Sequence, residues 1–404
     1  MPAASVLIVG AGPAGAALAY LLARRGVSTT LLERHTAFDR SFRGEGLQPS
    51  GIEALAQMGL AEEVAQLPQV AVRALELYWG HRLRARVSTT RLGFAARFLA
   101  QPALLRLLTS RAARSPTFQL HMGTAVRSLL YDEGRVVGVR ADTPGGPAEF
   151  KADLVVGCDG RYSVIRKAAH FSETTFRQLF DIIWLKLPFP AFWPDSTTVR
   201  IELGSGFLSG GIPASDGDLQ TGFTIAKGSL PELRRLDPEH WTDQLIDRLS
   251  PDLAAHVRAH SHALQKTILL DVMVGRLDAW TVPGLLLLGD AAHPMSPIGG
   301  QGLNLALRDA IVAANHLCPA LLEGGTLASL DTAAQRIVAE RLPEIVVIQE
   351  HQDRQARLFL RPTMLNRLAI RLLPVLVQTG LIRWLMGKRL LAFQHGVTSV
   401  ALAA

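Results

Sequence analysis

The sequence predicts an α/β fold with a parallel-stranded first domain, an inserted mixed β-sheet and a C-terminal helical region. Three observations lead there. The chain opens on a strand, a glycine-rich turn, a helix and a second strand. Two later apolar strands, around Val155 and Leu287, each run into a glycine–aspartate turn. Other stretches alternate polar and apolar residues in short strands with frequent turns. The divisions fall at residues 1–70, 97–170 and 278–330 for the first domain, 71–96 and 171–277 for the sheet, and 331–404 for the helical region.

In the opening unit, Val6–Val9 is a continuous apolar run, as expected of a strand buried on both faces. Gly10-x-Gly12-x-x-Gly15 follows, then a helical pattern with Ala14, Leu18, Leu21 and Leu22 on one face and Gly26 as its stop. A second strand ends at Glu33, 18 residues after Gly15. Each part has a mechanical reason. Gly10 permits the tight turn, Gly12 lets the backbone approach a pyrophosphate, and Gly15 lets helix and strand pack closely. Pro13 and Ala14 begin a helix whose free N–H groups and positive dipole end face the phosphates. Glu33, with Arg34 beside it, can meet a ribose diol. By itself this unit fits either FAD or NAD(P).

The second motif, Ala152-Asp-Leu-Val-Val-Gly-Cys-Asp-Gly-Arg-Tyr-Ser-Val-Ile-Arg166, reads as a buried strand ending at Asp159-Gly160 and turning into a helix with Ser163 and Arg166. The third, Leu285 to Asn304, reads as a strand, Gly289-Asp290, a proline-rich crossing segment through Pro294 and Pro297, and a cluster of glycines at 299, 300 and 302. A helix from Leu303 to about Leu317 follows, with Leu303, Ala306, Leu307, Ala310, Ile311 and Ala314 on one face.

With the opening fingerprint, these stretches resemble the class A flavoprotein monooxygenases, the p-hydroxybenzoate hydroxylase-like family, in order and in spacing. The resemblance covers roughly residues 1–170 and 280–320 and is weak over the middle sheet and the tail. It implies a Rossmann-like domain holding tightly bound FAD. Asp290 would meet the ribityl chain, and Gly299, Gly302, Leu303 and Asn304 would lie against the flavin ring. The helix N-terminus there would stabilise the anion of the reduced ring. Asp159 and Gly160 match a motif supporting the FAD pyrophosphate and the nicotinamide encounter. Arg43 matches the arginine that meets the diphosphate. Gln101 matches a position near the ribityl chain, where many relatives carry arginine, and Val126 matches a strand that brackets the adenine. The groups nearest the reacting centre would be the backbones of Pro297, Gly302 and Leu303.

The resemblance also implies the reaction. NADH or NADPH would reduce the flavin and leave, since no second fingerprint exists to hold it. Oxygen would add at flavin C4a, and the hydroperoxide would hydroxylate or epoxidise an apolar, planar aromatic or quinone-like molecule. A halogenase, which should show Trp-x-Trp-x-Ile-Pro, is disfavoured because the tryptophans stand alone at 79, 184, 193, 241, 280 and 384. Three rivals stay open: that halogenase, a flavin reductase of isoprenoid double bonds and a non-enzymatic membrane-associated or interaction protein.

The middle sheet should carry the substrate. It departs from the phenol hydroxylases with a tyrosine relay, because Tyr78 is its only tyrosine; no catalytic base is assigned. Its aromatics, Trp79, Trp184, Phe189, Phe207 and Phe223, suit core or pocket, and together hint at an apolar planar substrate. His256, His260 and His262 lie on a predicted helix over Leu253–Ala263, but no acidic third ligand stands in register, so no metal is expected.

Composition and charge close off other classes. The 404 residues are 48% hydrophobic and 19% charged, which excludes a disordered chain, a collagen-like repeat and a coiled coil. Two cysteines exclude a disulfide scaffold. The net charge of +7 resides in the tail, where Arg357, Arg361, Arg367, Arg371, Arg383, Lys388 and Arg389 face no acid, so no nucleic-acid partner is expected. The tail also carries Leu365, Leu368, Ala369, Leu372, Leu373 and Leu376 at helical spacing. It reads as a helix packed on the flavin domain with arginines in water, or as an amphipathic contact with a membrane surface. No targeting segment or spanning helix is expected, which points to the cytoplasm or the membrane periphery.

Overall fold

The computed structural model describes residues 5–39, 45–90, 96–204, 206–233, 235, 243–266, 268–361, 363–379, 381 and 391–403. Arg43, expected at the diphosphate, lies outside the described residues.

The core is a six-stranded sheet in the order Thr281–Val282, Leu285–Leu287, Leu154–Gly157, Ser5–Val9, Ser28–Glu33 and Phe118–Met122. All neighbours run parallel except the antiparallel edge strand Thr281–Val282. The apolar runs of the sequence are its central strands, with Val6, Leu7, Ile8, Leu154, Val155, Val156 and Leu285 at 0–1% exposure. Chain order reverses on either side of Ser5–Val9, where the following strand lies to one side and Leu154–Gly157 to the other. Such a switch point opens a crevice at the strands' carboxyl ends, and Gly10, Glu33, Asp159 and Asp290 all follow those ends.

Two helices back the sheet. In Pro13–Arg24 every residue from Ala14 to Ala23 is buried, and the helix packs on Gly302–Leu322. The latter starts one residue before the expected Leu303 and is buried on nearly every side, not on one face alone. It is the one helix among the described residues long and apolar enough to cross a bilayer, and 72% of that stretch is buried inside the protein.

The second large sheet has seven strands, in the order Ile268–Leu270, Phe180–Pro188, Asp218–Ala226, Phe207–Pro213, Thr198–Gly204, Ala74–Trp79 and Arg82–Ser88. One face packs against Leu230, Leu245, Leu249, Leu253 and Val257. The expected histidine helix is Pro251–Ala259, continued by a 3-10 turn at Ser261–Lys266. A three-stranded antiparallel sheet, Ala125–Asp132, Arg135–Thr143 and Gly146–Lys151, stands beside the core sheet.

The C-terminal region has two destinations, whereas one of the two readings of the tail is a helix lying on the flavin domain. The 34-residue helix Leu327–Leu360 packs on Gly302–Leu322. The helix Met364–Gln378 instead packs on the second sheet, with Leu373 against Leu77, Ala85 and Val87. Residues 391–403 return to the first domain: Val400 joins its core, and Leu402 N–H donates to the Gln57 side chain at 2.8 Å. The reason is surface supply, since the edge strand Arg82–Ser88 offers an uncovered apolar row that Leu373 can bury.

Candidate active site

At the phosphate end, Gly10 takes φ +100°, and a Cβ there would stand 2.5 Å from the Cys158 carbonyl oxygen. A Cβ on Gly15 would stand 2.0 Å from the Gly10 carbonyl oxygen, so helix and turn touch backbone to backbone. Gly12 differs. A Cβ there would meet nothing nearer than the Cys158 carbonyl at 4.0 Å, so this position faces open space. Gly12 is the N-cap of Pro13–Arg24, and no side chain caps that helix. Its first amides are left to a ligand, which is the arrangement an anionic pyrophosphate fills.

Glu33 accepts the Ala11 N–H at 3.0 Å and the His35 N–H at 3.0 Å, and its carboxylate also contacts the His35 ring. Burial pushes its pKa up, but the bonds from His35 and Ala11 outweigh burial and hold the carboxyl below its ordinary value. It therefore stays an acceptor at the strand end. Arg34 is exposed beside it. The turn before Val126 is tied to the same strand end, with Thr124 N–H on the Glu33 carbonyl at 2.8 Å and Gly123 N–H on that of His35 at 2.9 Å. Val126 is thereby brought near Glu33.

Asp159 shows the structural use of its motif. Its carboxylate accepts from the Ser163 hydroxyl at 2.5 Å, from Val164 N–H at 2.7 Å and from Ile165 N–H at 3.2 Å, capping the short helix Val164–Ala168. Burial raises its pKa despite these bonds. Gly160 beside it is open to space. The next residue, Arg161, pairs with Asp290 at 3.1 Å, joining the second motif to the third. Gln101 opens the helix Gln101–Ala112.

At the other end of the crevice, Pro297 accepts the Gly300 N–H at 3.0 Å, forming the turn that presents Gly299, Gly300 and Gly302. No side chain caps the Gly302–Leu322 helix either; Gln301, at its N-cap, donates instead to the Phe393 carbonyl at 2.6 Å. A Cβ on Gly299 would stand 2.2 Å from the Phe393 ring. Leu303 is 4% exposed. Asn304 is fully buried, and its amide accepts the Gln48 N–H at 2.8 Å while donating to the Gly46 and Gly300 carbonyls at 3.2 and 2.8 Å. Its side chain is thus a brace between the glycine turn and the loop at 46–48, leaving only its backbone for a ring.

Several supporting residues carry no signal in the sequence. Gln352 and Gln349, buried on Leu327–Leu360, hold the crossing segment: Gln352 donates to the Ser296 and Ile298 carbonyls at 2.9 Å each, and Gln349 to Pro294 at 3.3 Å. His293 and Asp309 pair at 2.7 Å with 1% and 0% side-chain exposure. Asp309 also accepts from Gly289 N–H at 3.2 Å and pairs with Arg341 at 2.8 Å. Arg341 and Arg308 both meet Glu344, which takes the Val397 N–H at 2.6 Å. Full burial pushes the Asp309 pKa up, yet His293 and Arg341 overcome it and hold it at about 2.

The sheet turns one face toward this end. Register puts Ile182, Trp184 and Lys186, Gln220 and Gly222, and Leu208, Gly210 and Ile212 on that side. Ile298, Trp184 and Leu208 pack against the cluster that holds Ile182, and Phe98, Ile201 and Ile212 against the cluster of Val72, Ala96 and Val199. Between them, a Cβ on Gly210 would meet nothing within 4 Å. The neighbouring Gly222 lies under the Trp184 indole, 3.2 Å from where its Cβ would be. Of the aromatics singled out in the sequence, Phe207 and Phe223 are core on the opposite face, with Phe189 packed beside them. Tyr78 is turned from the open face too, its ring 4.3 Å from the Arg200 guanidinium. Trp184 lines the open side, and Trp79, in register with Leu203 and through it with Leu208, lies on the same face toward the far edge of the sheet. Among the described residues no cluster of histidine, cysteine and acids could hold a metal.

The donor set fits FAD: two uncapped helix N-termini, an open glycine floor at the phosphates, a strand-end carboxylate held below its ordinary pKa and a glycine turn at the start of the second helix. The FAD binding domain family matches residues 3–343. The 6-methylpretetramide 4-monooxygenase of Streptomyces rimosus is 35% identical over 371 residues, covering 88% of this chain and 84% of that protein. A probable NADH-specific resorcinol 4-hydroxylase of Rhodococcus jostii is 28% identical over 357 residues, covering 86% of this chain and 64% of that protein. The fold matches the p-nitrophenol 4-monooxygenase PnpA of Pseudomonas putida with a TM-score of 0.79 and 19% identity, covering 98% of each chain. The chain belongs to the FAD binding domain family, and within it to the class A flavoprotein monooxygenases that use FAD and a nicotinamide cofactor.

Proposed function

We propose that this monooxygenase hydroxylates or epoxidises an apolar, planar aromatic or quinone-like small molecule, drawing electrons from NADH or NADPH that binds in passing. One observation carries the substrate class: the open position at Gly210, on the face that register shares with Trp184, Leu208 and Ile212, whose apolar clusters also take in Ile298 and Phe98. A flat apolar ring system fills such a slot, and polar chains do not.

In this reading Gly10, Gly12, Pro13, Ala14 and Gly15 hold the pyrophosphate, with Gly160 and Asp159 at the same turn and Arg43 reaching it. Glu33 and Arg34 meet the adenosine ribose, and Val126 the adenine. Gln101 and Asp290 meet the ribityl chain. Gly299, Gly302, Leu303 and Asn304 offer backbone to the ring, and the Pro297 turn fixes their position. FAD supplies the redox chemistry and the activation of oxygen. The chain's own work is to orient the ring, place a helix N-terminus against its developing negative charge and keep water out with the apolar slot. Residues 1–70, 97–170 and 278–330 then form the FAD domain, and 71–96 with 171–277 the substrate sheet.

The test is a panel of phenols, quinolones and polyketide aromatics, 6-methylpretetramide among them, scored for stimulated NAD(P)H oxidation, oxygen uptake and incorporation of labelled oxygen. Double-bond reduction without oxygen incorporation would replace this reading by the reductase one.

The helix Met364–Gln378 supports a second feature of the working protein, a place in the cytoplasm at the membrane periphery. Leu365, Leu368, Leu372 and Val375 are 79%, 56%, 50% and 55% exposed at heptad spacing, beside Arg367 and Arg371. An apolar stripe flanked by arginines suits an anionic bilayer. Co-sedimentation with phosphatidylserine vesicles but not phosphatidylcholine vesicles, lost at high salt, is the expected result; equal partition in both arms rejects it.

A further inference from the structure

The loop carrying Glu45 touches both halves of the active site. Gly46 pairs with Phe98, and its carbonyl accepts from Asn304 at the start of the flavin helix. A Cβ on Gly46 would lie 3.7 Å from the Phe98 ring and 3.8 Å from Gly300, so the residue after Glu45 sits between the substrate wall and the glycine turn. The Glu45 side chain then crosses to the sheet, where Oε2 accepts from the Gln220 amide at 2.8 Å. Gln220 pairs with Ile212 on one side and Lys186 on the other, and stands two residues from Gly222 on the open face. The Glu45 carboxylate therefore reaches the rim of the Gly210 slot. Among the described residues no donor meets its other oxygen, Oε1.

From this geometry we infer that Glu45 is a substrate-binding residue whose Oε1 accepts the hydrogen bond of a hydroxyl on the ring. The inference rests on the aromatic reading above and names the polar group that reading leaves unassigned. A hydroxyl donating to a carboxylate gains phenolate character, which makes the ring carbons ortho and para to it more electron-rich, as an electrophilic oxygen donor requires. It also selects hydroxylated rings over plain ones, because an unpaired, partly buried carboxylate is costly to cover. Half-buried, Glu45 has its pKa raised by burial and by Asp216, against the Gln220 bond and Lys186. Lys186 is itself held by Asp216 and Asp218, and among the described residues Glu45 has no ion pair.

Two probes with the same ring system separate the roles: 1-naphthol, and 1-methoxynaphthalene, which has no hydroxyl proton. Their dissociation constants are read from the perturbed absorbance of the bound flavin in the holoenzyme. Glu45→Gln should weaken 1-naphthol about ten- to hundredfold, the range of a lost charge-assisted hydrogen bond, and leave the methyl ether within about twofold. Gln220→Leu, which lies on the sheet away from the flavin turn, should weaken 1-naphthol alone by a smaller factor, and decides the matter if Glu45→Gln fails to retain FAD. Equal affinities of wild type and variants for 1-naphthol, or equal losses for both probes, overturn the proposal. A wild-type enzyme that binds neither probe and oxidises no more NAD(P)H with any ring of the panel overturns the aromatic reading beneath it, a result distinct from the first.

Discussion

Asn304 Oδ1 accepts the backbone N–H of Gln48 at 2.8 Å, so one side chain on the flavin helix carries the loop that leads to the substrate sheet. The same amide donates to Gly46 and Gly300, so both of its groups are satisfied with no exposure to water. Asn304→Leu removes all three bonds and leaves buried backbone groups unpaired. The expected cost is about 1–3 kcal/mol of stability with weakened FAD retention. Urea unfolding of the apoprotein and the FAD dissociation constant check the two parts. A neutral result in both would show that the loop stands without its brace.

Gly12 and Gly15 separate ligand space from packing space. A Cβ at residue 15 collides with the Gly10 carbonyl, whereas one at residue 12 meets no protein atom closer than 4.0 Å. Gly15→Ala should therefore destabilise the apoprotein itself. Gly12→Val should leave apoprotein unfolding nearly unchanged and cut FAD affinity more than about tenfold, because the side chain occupies the pyrophosphate floor. Equal damage to the apoprotein by both would mean the Gly12 floor is packed rather than open.

Asp290 and His293 are three residues apart but do different work. Asp290 is 31% exposed in its side chain and pairs with Arg161 at the crevice. His293 is sealed against Asp309 and Trp280. Asp290→Ala should lower FAD retention with little effect on apoprotein stability. His293→Ala should matter less for FAD but cost about 1–3 kcal/mol of stability by leaving a buried carboxylate short of a partner. Released-FAD fluorescence and urea unfolding give the two rankings, and their reversal would exchange the roles.

The glycine spacing is legible in the sequence because backbone contact at Gly10 and Gly15 tolerates no other side chain, so geometry is written into residue type. The parallel strands are legible because burial on both faces demands apolar runs such as Val6–Val9. What stays hidden depends on which face meets which partner. Alternation marks two sides of Phe207–Pro213 but does not tell which one faces the flavin, so Phe207 and Phe223 read the same as Trp184 until register and the packing of Leu253 and Val257 separate them. Gln349 and Gln352 look like ordinary surface positions of a polar helix; only the proline-rich segment laid across them makes them buried donors. Glu45 gives no signal either, since its partner Gln220 lies 175 residues away. The tail's two destinations follow from surfaces exposed elsewhere in the fold, which local pattern does not report.

Acid should dismantle the network behind the flavin turn in a defined window. Asp309 is held at about 2 in the folded protein, below the ordinary aspartate value of 3.8. A depressed folded pKa means the charged form is favoured by folding. Its contribution is therefore complete above the unfolded value and is lost as pH falls from that value through about 2. Linkage puts the amount at about 2 kcal/mol. Urea unfolding of wild type and Asp309→Asn should differ by that order at pH 6, and the gap should shrink as pH falls through the window. A gap that stays constant down to the lower limit would mean that Asp309 contributes through its shape and hydrogen bonds, not through its charge, and that the ion pair with Arg341 is not what stabilises the turn at Gly289.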